Sequence, residues 1–224
     1  MTVSIRIRPN EKLFLKDPEL SELGRKIVNQ SVELIDLLGF EKFTFKKLAQ
    51  KINSTEASIY RYFENKHKLL VYLISWYWAW VEFQIDFKTN SIADADERLK
   101  VVINIIAESY KYDPSISHID ESLLHNIVVA ESAKAYLTKN VDKENREGYF
   151  THYKSICKKV ASFIQDVNPN YPYPKALASN LIETAHEQIF FAEHIPSLTD
   201  LSIDKGDYGD IEAFLQHIIF KLIR

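Results

Sequence analysis

Between residues 44 and 66 the chain gathers side chains able to bond a row of phosphates. Hydroxyls stand at Thr44, Thr55, Ser58, Tyr60 and Tyr62, and cations at Lys46, Lys47, Arg61 and Lys66. Thr44, Tyr60 and Lys66 suit phosphate oxygens, and such contacts set register without reading sequence. Lys46 and Lys47 add charge to the same neighbourhood. Base edges would fall to Thr55, Glu56, Ala57 and Ser58, the first turn of a short helix, with Arg61 pointing outward beside them and Tyr62 following. Glu56 has two readings. A carboxylate repels phosphate yet accepts from cytosine N4, and it also complements the helix dipole from the first turn.

Other groupings are looser. His186-Glu187 with His194 resembles a metal helix, but a zinc-protease helix needs a second His four residues on, and position 190 is Phe. Glu183 with His186, and His118 with Glu121 and His125, form weak sets that fit ordinary helix surfaces better. There is no Ser-His-Asp order and no Gly-rich phosphate loop. The single cysteine, Cys157, excludes an internal disulfide framework and a Cys-based zinc cluster. No cofactor and no metal are expected, and catalysis is not. The rival reading is an all-helical enzyme or metal-binding protein in which the helix pair only scaffolds.

The elements that must position the first group can be read from periodicity. Leu20, Leu23, Ile27, Leu34 and Leu38 recur at steps of three, four and seven residues, so a helix runs from Glu19 until Gly39 stops it. Thr44 is an N-cap for a helix over 45–52 that buries Leu48, Ala49 and Ile52. Asn53 takes the turn, since Asn tolerates a left-handed backbone better than most residues. Thr55 caps a second short helix over 56–63, held to a core by Ile59 and Phe63. A helix pair with a polar second member presents side chains to the major groove in a helix-turn-helix.

From Lys66 to about Phe87, Leu69, Leu73, Trp76, Trp80, Phe83 and Phe87 alternate steps of four and three, predicting one long helix with a core stripe. Further helices fit 94–111, 119–137 with one break, 143–167, 175–193 and 211–223. The segment from Asn168 to Pro174 cannot be helical and joins two of them. The expectation is all-α, with nine to ten helices. Residues 1–18 read as a basic N-terminal arm carrying Arg6, Arg8, Lys12 and Lys16, able to enter a minor groove or simply solvated. Residues 19–65 form the helix-turn-helix domain and 66–224 a larger helical body.

Composition sets outer limits. The 224 residues are 46% hydrophobic with a net charge of −3, which favours neither nucleic acid nor membrane in bulk. Distribution is more informative. Residues 1–66 hold twelve Lys/Arg against nine Asp/Glu, leaving sixteen against twenty-two in the remainder. A mildly basic front on an acidic body suits a head that faces nucleic acid. No apolar run reaches the ~18–20 residues that span a bilayer, and the N-terminus has no apolar core for a signal peptide. A cytoplasmic protein is expected.

Residues 20–70 resemble the N-terminal DNA-binding domain of the TetR/AcrR transcriptional regulators. The resemblance rests on Gly39-Phe40, then FTFKKLAQKI, STEASIYRYF and ENKHKLL, with Ile59-Tyr60-Arg61-Tyr62-Phe63 the most characteristic string. Asn53 departs from the usual turn Gly, and Glu56 stands where many relatives carry a basic or neutral residue. The resemblance implies a repressor that binds operator DNA as a homodimer through C-terminal helices. It also implies a pocket for a small-molecule effector among the central helices. Trp76, Trp80, Phe83, Tyr110 and Tyr153 are the candidate lining, which suggests a hydrophobic or aromatic ligand.

Overall fold

The computed structural model describes residue 7, residues 9–108 and residues 118–224. Among these residues there are eleven α-helices, and the only extended pairing is an isolated bridge between Asp204 and Asp207. The fold is all-α. Helices exceed the expected nine to ten because one long pattern divides. The periodicity over 143–167 predicts a single helix, but Gly148 has a φ of 84° and separates α8 (Val141–Arg146) from α9 (Thr151–Val167). A positive φ is a conformation that glycine adopts without steric cost and that ends a helix.

The chain forms two compact units, Met1–Ala79 with Tyr110–Thr151, and Trp80–Ser109 with His152–Arg224. These limits differ from a division at residue 66, since residues 121–146 group with the N-terminal residues. In the first unit, α1 (Glu22–Leu38) starts where Ser21 Oγ accepts from the Gly24 N–H at 3.0 Å, and stops where the Gly39 N–H bonds Ile35 O at 2.8 Å. Gly24 is required by its close neighbours. A Cβ there would lie 2.2 Å from Pro18 O, so only glycine lets α1 pack on the 3-10 turn Pro18–Leu20.

The end of the expected arm is packed. Leu13 is fully buried, the Leu15 N–H donates to Tyr62 O at 2.7 Å, and the Phe14 ring meets Tyr72 edge-on at 6.1 Å. Apolar side chains at 13 and 14 tie this stretch down. Arg6 and Arg8 lie outside the described residues. The remaining helices of this unit are α2 (Phe45–Lys51), α3 (Glu56–Tyr60), α6 (Glu121–Glu131), α7 (Ala133–Tyr136) and α8, with α4 (Lys66–Thr89) contributing its residues up to Ala79.

The expected stripe on α4 needs correction. Every residue from Leu69 to Val81 is buried, whereas Phe87, placed on the stripe, is 73% exposed. A helix apolar on all sides is buried on all sides, and the alternation of four and three marked only part of it.

The second unit is built from the end of α4 with α5 (Ala95–Ala107), α9, α10 (Pro174–His194) and α11 (Gly209–Ile223). Leu99, Val102, Ile103 and Ile106 of α5, Leu181, Ile182 and Ile189 of α10, and Ile211, Leu215 and Ile219 of α11 are buried, and these three helices contact one another.

Candidate nucleic-acid interface

The helix-turn-helix is fixed by caps and two core anchors. Thr44 Oγ1 accepts from the Lys47 N–H, and Thr55 Oγ1 from the Ser58 N–H, both at 3.2 Å. Each satisfies one donor that a helix start leaves unpaired. Asn53 adopts a φ of 54°, giving the turn the left-handed residue expected there. Ile59 and Phe63 are fully buried, and burial of such side chains is worth about 1.5–3 kcal/mol each. Only α3's inner face is taken up in this way. Thr55, Glu56 and Ala57 are exposed and Ser58 half-buried, its hydroxyl 3.0 Å from that of Thr55.

Thr44, Lys46, Tyr60 and Arg61 are also exposed, and the Tyr60 ring rests edge-on against Phe45 at 5.0 Å. The polar residues of α2 and α3 and the turn after α3 therefore form a solvent-facing surface above an apolar base. Two residues expected on that surface are engaged elsewhere. Tyr62 is 3% exposed, its hydroxyl 2.8 Å from Ser21 Oγ and the Lys16 ammonium 5.2 Å from its ring centre. It is a core residue of the head, because the backbone turn after Tyr60 directs it inward together with Phe63. Lys66 is half-buried, and its Nζ donates to the carbonyls of Phe40, Glu41 and Phe43 at 3.1, 3.3 and 3.5 Å.

The sequence does not show the long-range polar pairs of this unit. Glu131 Oε1 accepts from the Phe40 N–H at 2.9 Å, His67 Nε2 lies 2.8 Å from Glu144, and Tyr77 Oη lies 2.9 Å from His125 Nδ1. Burial pushes His125 down to about 4. These partners stand 48 to 91 residues apart, and no local pattern marks such pairs.

The candidate effector residues divide. Trp76 belongs to the first unit, where it is buried. In the second, Trp80 and Phe83 stack at 5.8 Å and Tyr153 Oη donates to Glu183. Tyr110 lies outside the described residues. A cleft of about 590 Å³ in the second unit is lined by Lys158, Gln165, Tyr171, Tyr173 and Lys175, none of them among the expected residues. In the metal-like sets, His118 pairs with Glu19, His125 with Tyr77, and Glu183 with Tyr153. Among the described residues no group of three or more His, Cys, Asp or Glu could hold a metal ion, and no helix is long and apolar enough to cross a membrane.

An exposed, capped helix pair of this kind is the arrangement by which a helix-turn-helix presents side chains to the major groove. The match is specific in the head. Residues 27–73 fit the family model of the bacterial regulatory proteins, tetR family. No curated protein matches the sequence.

Solved structures match over nearly the whole chain at low identity. AibR, in complex with isovaleryl coenzyme A and operator DNA, is 17% identical, with a TM-score of 0.59 over 89% of this chain and 98% of that one. A TetR-family transcriptional regulator from Streptomyces coelicolor is 14% identical, with a TM-score of 0.57 over 89% and 93%. The superantigen PfiT is also 14% identical, with a TM-score of 0.60 over 92% and 98%. At these identities the likeness shows the fold, and a fold by itself does not carry a function.

Proposed function

We propose that this chain is a cytoplasmic, homodimeric repressor that leaves its operator when a small hydrophobic or aromatic molecule binds the helical body. The observation that carries it is the exposed, polar start of α3 over the buried Ile59 and Phe63, an arrangement with no use in packing. In this reading Thr55, Glu56, Ala57 and Ser58 meet base edges, while Thr44, Lys46, Tyr60 and Arg61 bond phosphates. One helix-turn-helix makes few contacts, so two copies would read half-sites about 34–36 Å apart or a multiple of that. The C-terminal helices α9, α10 and α11 are the candidates for the dimer contact. The chain would catalyse no reaction.

The AibR complex supports a ligand-responsive reading, since that protein is bound to both a coenzyme A thioester and operator DNA. Release requires the ligand to favour a conformation that fits DNA less well. The test is selection of bound fragments from genomic DNA, followed by displacement with short acyl-coenzyme A thioesters and aromatic acids. An enriched inverted repeat, freed by one of these compounds, is the expected result. Fragments enriched no further than random duplex would overturn the reading; an enriched repeat that no small molecule releases would overturn its effector half.

A further inference from the structure

The cleft in the second unit carries chemistry that the DNA reading leaves unused. Lys158, Ser162 and Gln165 stand at steps of four and three, so they share one face of α9. The remaining walls come from Tyr171 and Tyr173, in the segment joining α9 to α10, and from Lys175 in the first turn of α10. At about 590 Å³ the cleft is in the size range of small-molecule sites. The joining segment is held stiffly. Asn168 Nδ2 donates to Ile223 O at 2.8 Å, while its Oδ1 accepts from the Asn170 N–H at 2.9 Å and its carbonyl from the Tyr171 N–H at 3.1 Å. Pro172 and Pro174 fix their own φ and restrict the tyrosine before each. Such a wall stands ready before a ligand arrives, which lowers the cost of ordering it.

Charge and aromatic surface point to one kind of occupant. Arg98, Lys100, Lys159 and Arg224 of this unit each pair with a carboxylate, whereas Lys158 and Lys175 pair with none among the described residues. No Asp or Glu is among the described residues that line the cleft. Two ammonium groups without a carboxylate favour an anion, in a chain whose net charge is −3. The Ser162 hydroxyl and the Gln165 amide add hydrogen-bond partners. Tyr171 and Tyr173 meet edge to face at 6.5 Å, and Tyr173 keeps 68% of its surface exposed, apolar area that a flat ring would remove from water. We propose that the cleft binds a small aromatic anion, a flat ring bearing a phosphate or a carboxylate. The ring stacks on Tyr173, and Lys158 and Lys175 meet the anionic group. Trp80, Phe83 and Tyr153 do not line this cleft, so the site is separate from the expected effector residues and does not rest on the DNA reading.

The test titrates the full-length protein, free of DNA, by calorimetry with four probes. Adenosine monophosphate joins a ring to a phosphate and indoleacetate joins one to a carboxylate, whereas adenosine and inorganic phosphate each carry one half. Expected is a Kd below about 1 mM for at least one joined probe, and binding at least about tenfold weaker for each half. The tighter of the joined probes names the anionic group. Lys158→Gln combined with Lys175→Gln should weaken that probe about tenfold and reduce its sensitivity to salt. Tyr173→Ala should weaken it by about tenfold through lost stacking. Lys221→Gln, on α11 and away from the cleft lining, should leave it as in wild type. All four residues are exposed, so melting temperatures should stay close to that of wild type.

Joined probes that bind no more tightly than their halves would overturn the proposal. Unchanged affinity in the double lysine variant or in Tyr173→Ala would overturn it as well, since the probe would then sit elsewhere on the chain, as on the cationic surface of α2 and α3. Should a variant not fold, amide shifts of the wild-type protein on titration decide. Largest shifts at Ser162, Gln165 and Lys175 support the site, and shifts confined to other residues overturn it. Failure of the chain to select any duplex would leave each of these outcomes as it stands, because the site is a property of the free protein.

Discussion

In the first unit Glu131, Glu144 and His125 are buried, and each meets a group 48 to 91 residues away. In the second, polar links between helices lie nearer the surface, as with Arg98 and Asp166 at 2.9 Å, and Lys159 and Asp86 at 2.6 Å. The chemistry of the bonds is similar and their settings differ. A buried polar group stripped of its partner bears the full cost of its lost solvation, whereas an exposed ion is rehydrated. The first unit should therefore be intolerant of polar changes and specific in geometry, as suits a reading head. The second should tolerate them.

The largest effect should come from the apolar base of α3. Phe63→Ala should destabilise by about 3–5 kcal/mol, seen as a lowered denaturant midpoint, and should abolish any DNA binding. A loss below about 1 kcal/mol would mean that the base of α3 is not a packed core.

Next comes a pH effect confined to the first unit. His125 is held near 4 in the fold by burial, against 6.5 when unfolded. Its proton is therefore bound mainly by the unfolded state between these values, so stability is full above about 6.5 and falls as pH drops towards 4. The loss is roughly 3 kcal/mol across that window. His125→Gln should flatten that part of the profile, checked by urea unfolding at pH 4 to 7. Parallel profiles for the two proteins would contradict the assignment.

Smaller changes test the surface. Thr55→Ala removes the cap of α3 and should cost about 1 kcal/mol, measurable by thermal melting. In the second unit, Arg98→Ala should change stability by less than about 1 kcal/mol. A loss several times larger would erase the contrast between the units. Glu56→Gln should leave stability as it is. If Glu56 reads cytosine, the variant relaxes preference at one base pair per half-site by about 1–3 kcal/mol, and an unchanged profile in a binding-site selection leaves it the dipole role alone.

The same contrast explains what could be read from the residues in order. Thr44, Asn53 and Thr55 were legible because a cap or a left-handed turn restricts residue type locally. α10 and α11 were legible from apolar period alone. Tyr62 was not, since its neighbours in sequence do not say which way the chain turns after Tyr60. Lys66 resembled a surface cation until the three carbonyls 23 to 26 residues earlier were placed around it. Glu131 lies 91 residues from the amide it holds, and no periodicity spans that distance. The break at Gly148 was hidden by apolar residues that keep helical spacing on both sides of it.

The central claim is that the exposed start of α3 reads duplex DNA. The most direct test is competition between a selected duplex and its scrambled counterpart for the full-length protein, followed from 50 to 200 mM salt. Binding should weaken steeply with salt on both duplexes while the selected one stays tighter by at least about a thousandfold. Equal affinity for the two at every salt concentration would contradict the claim.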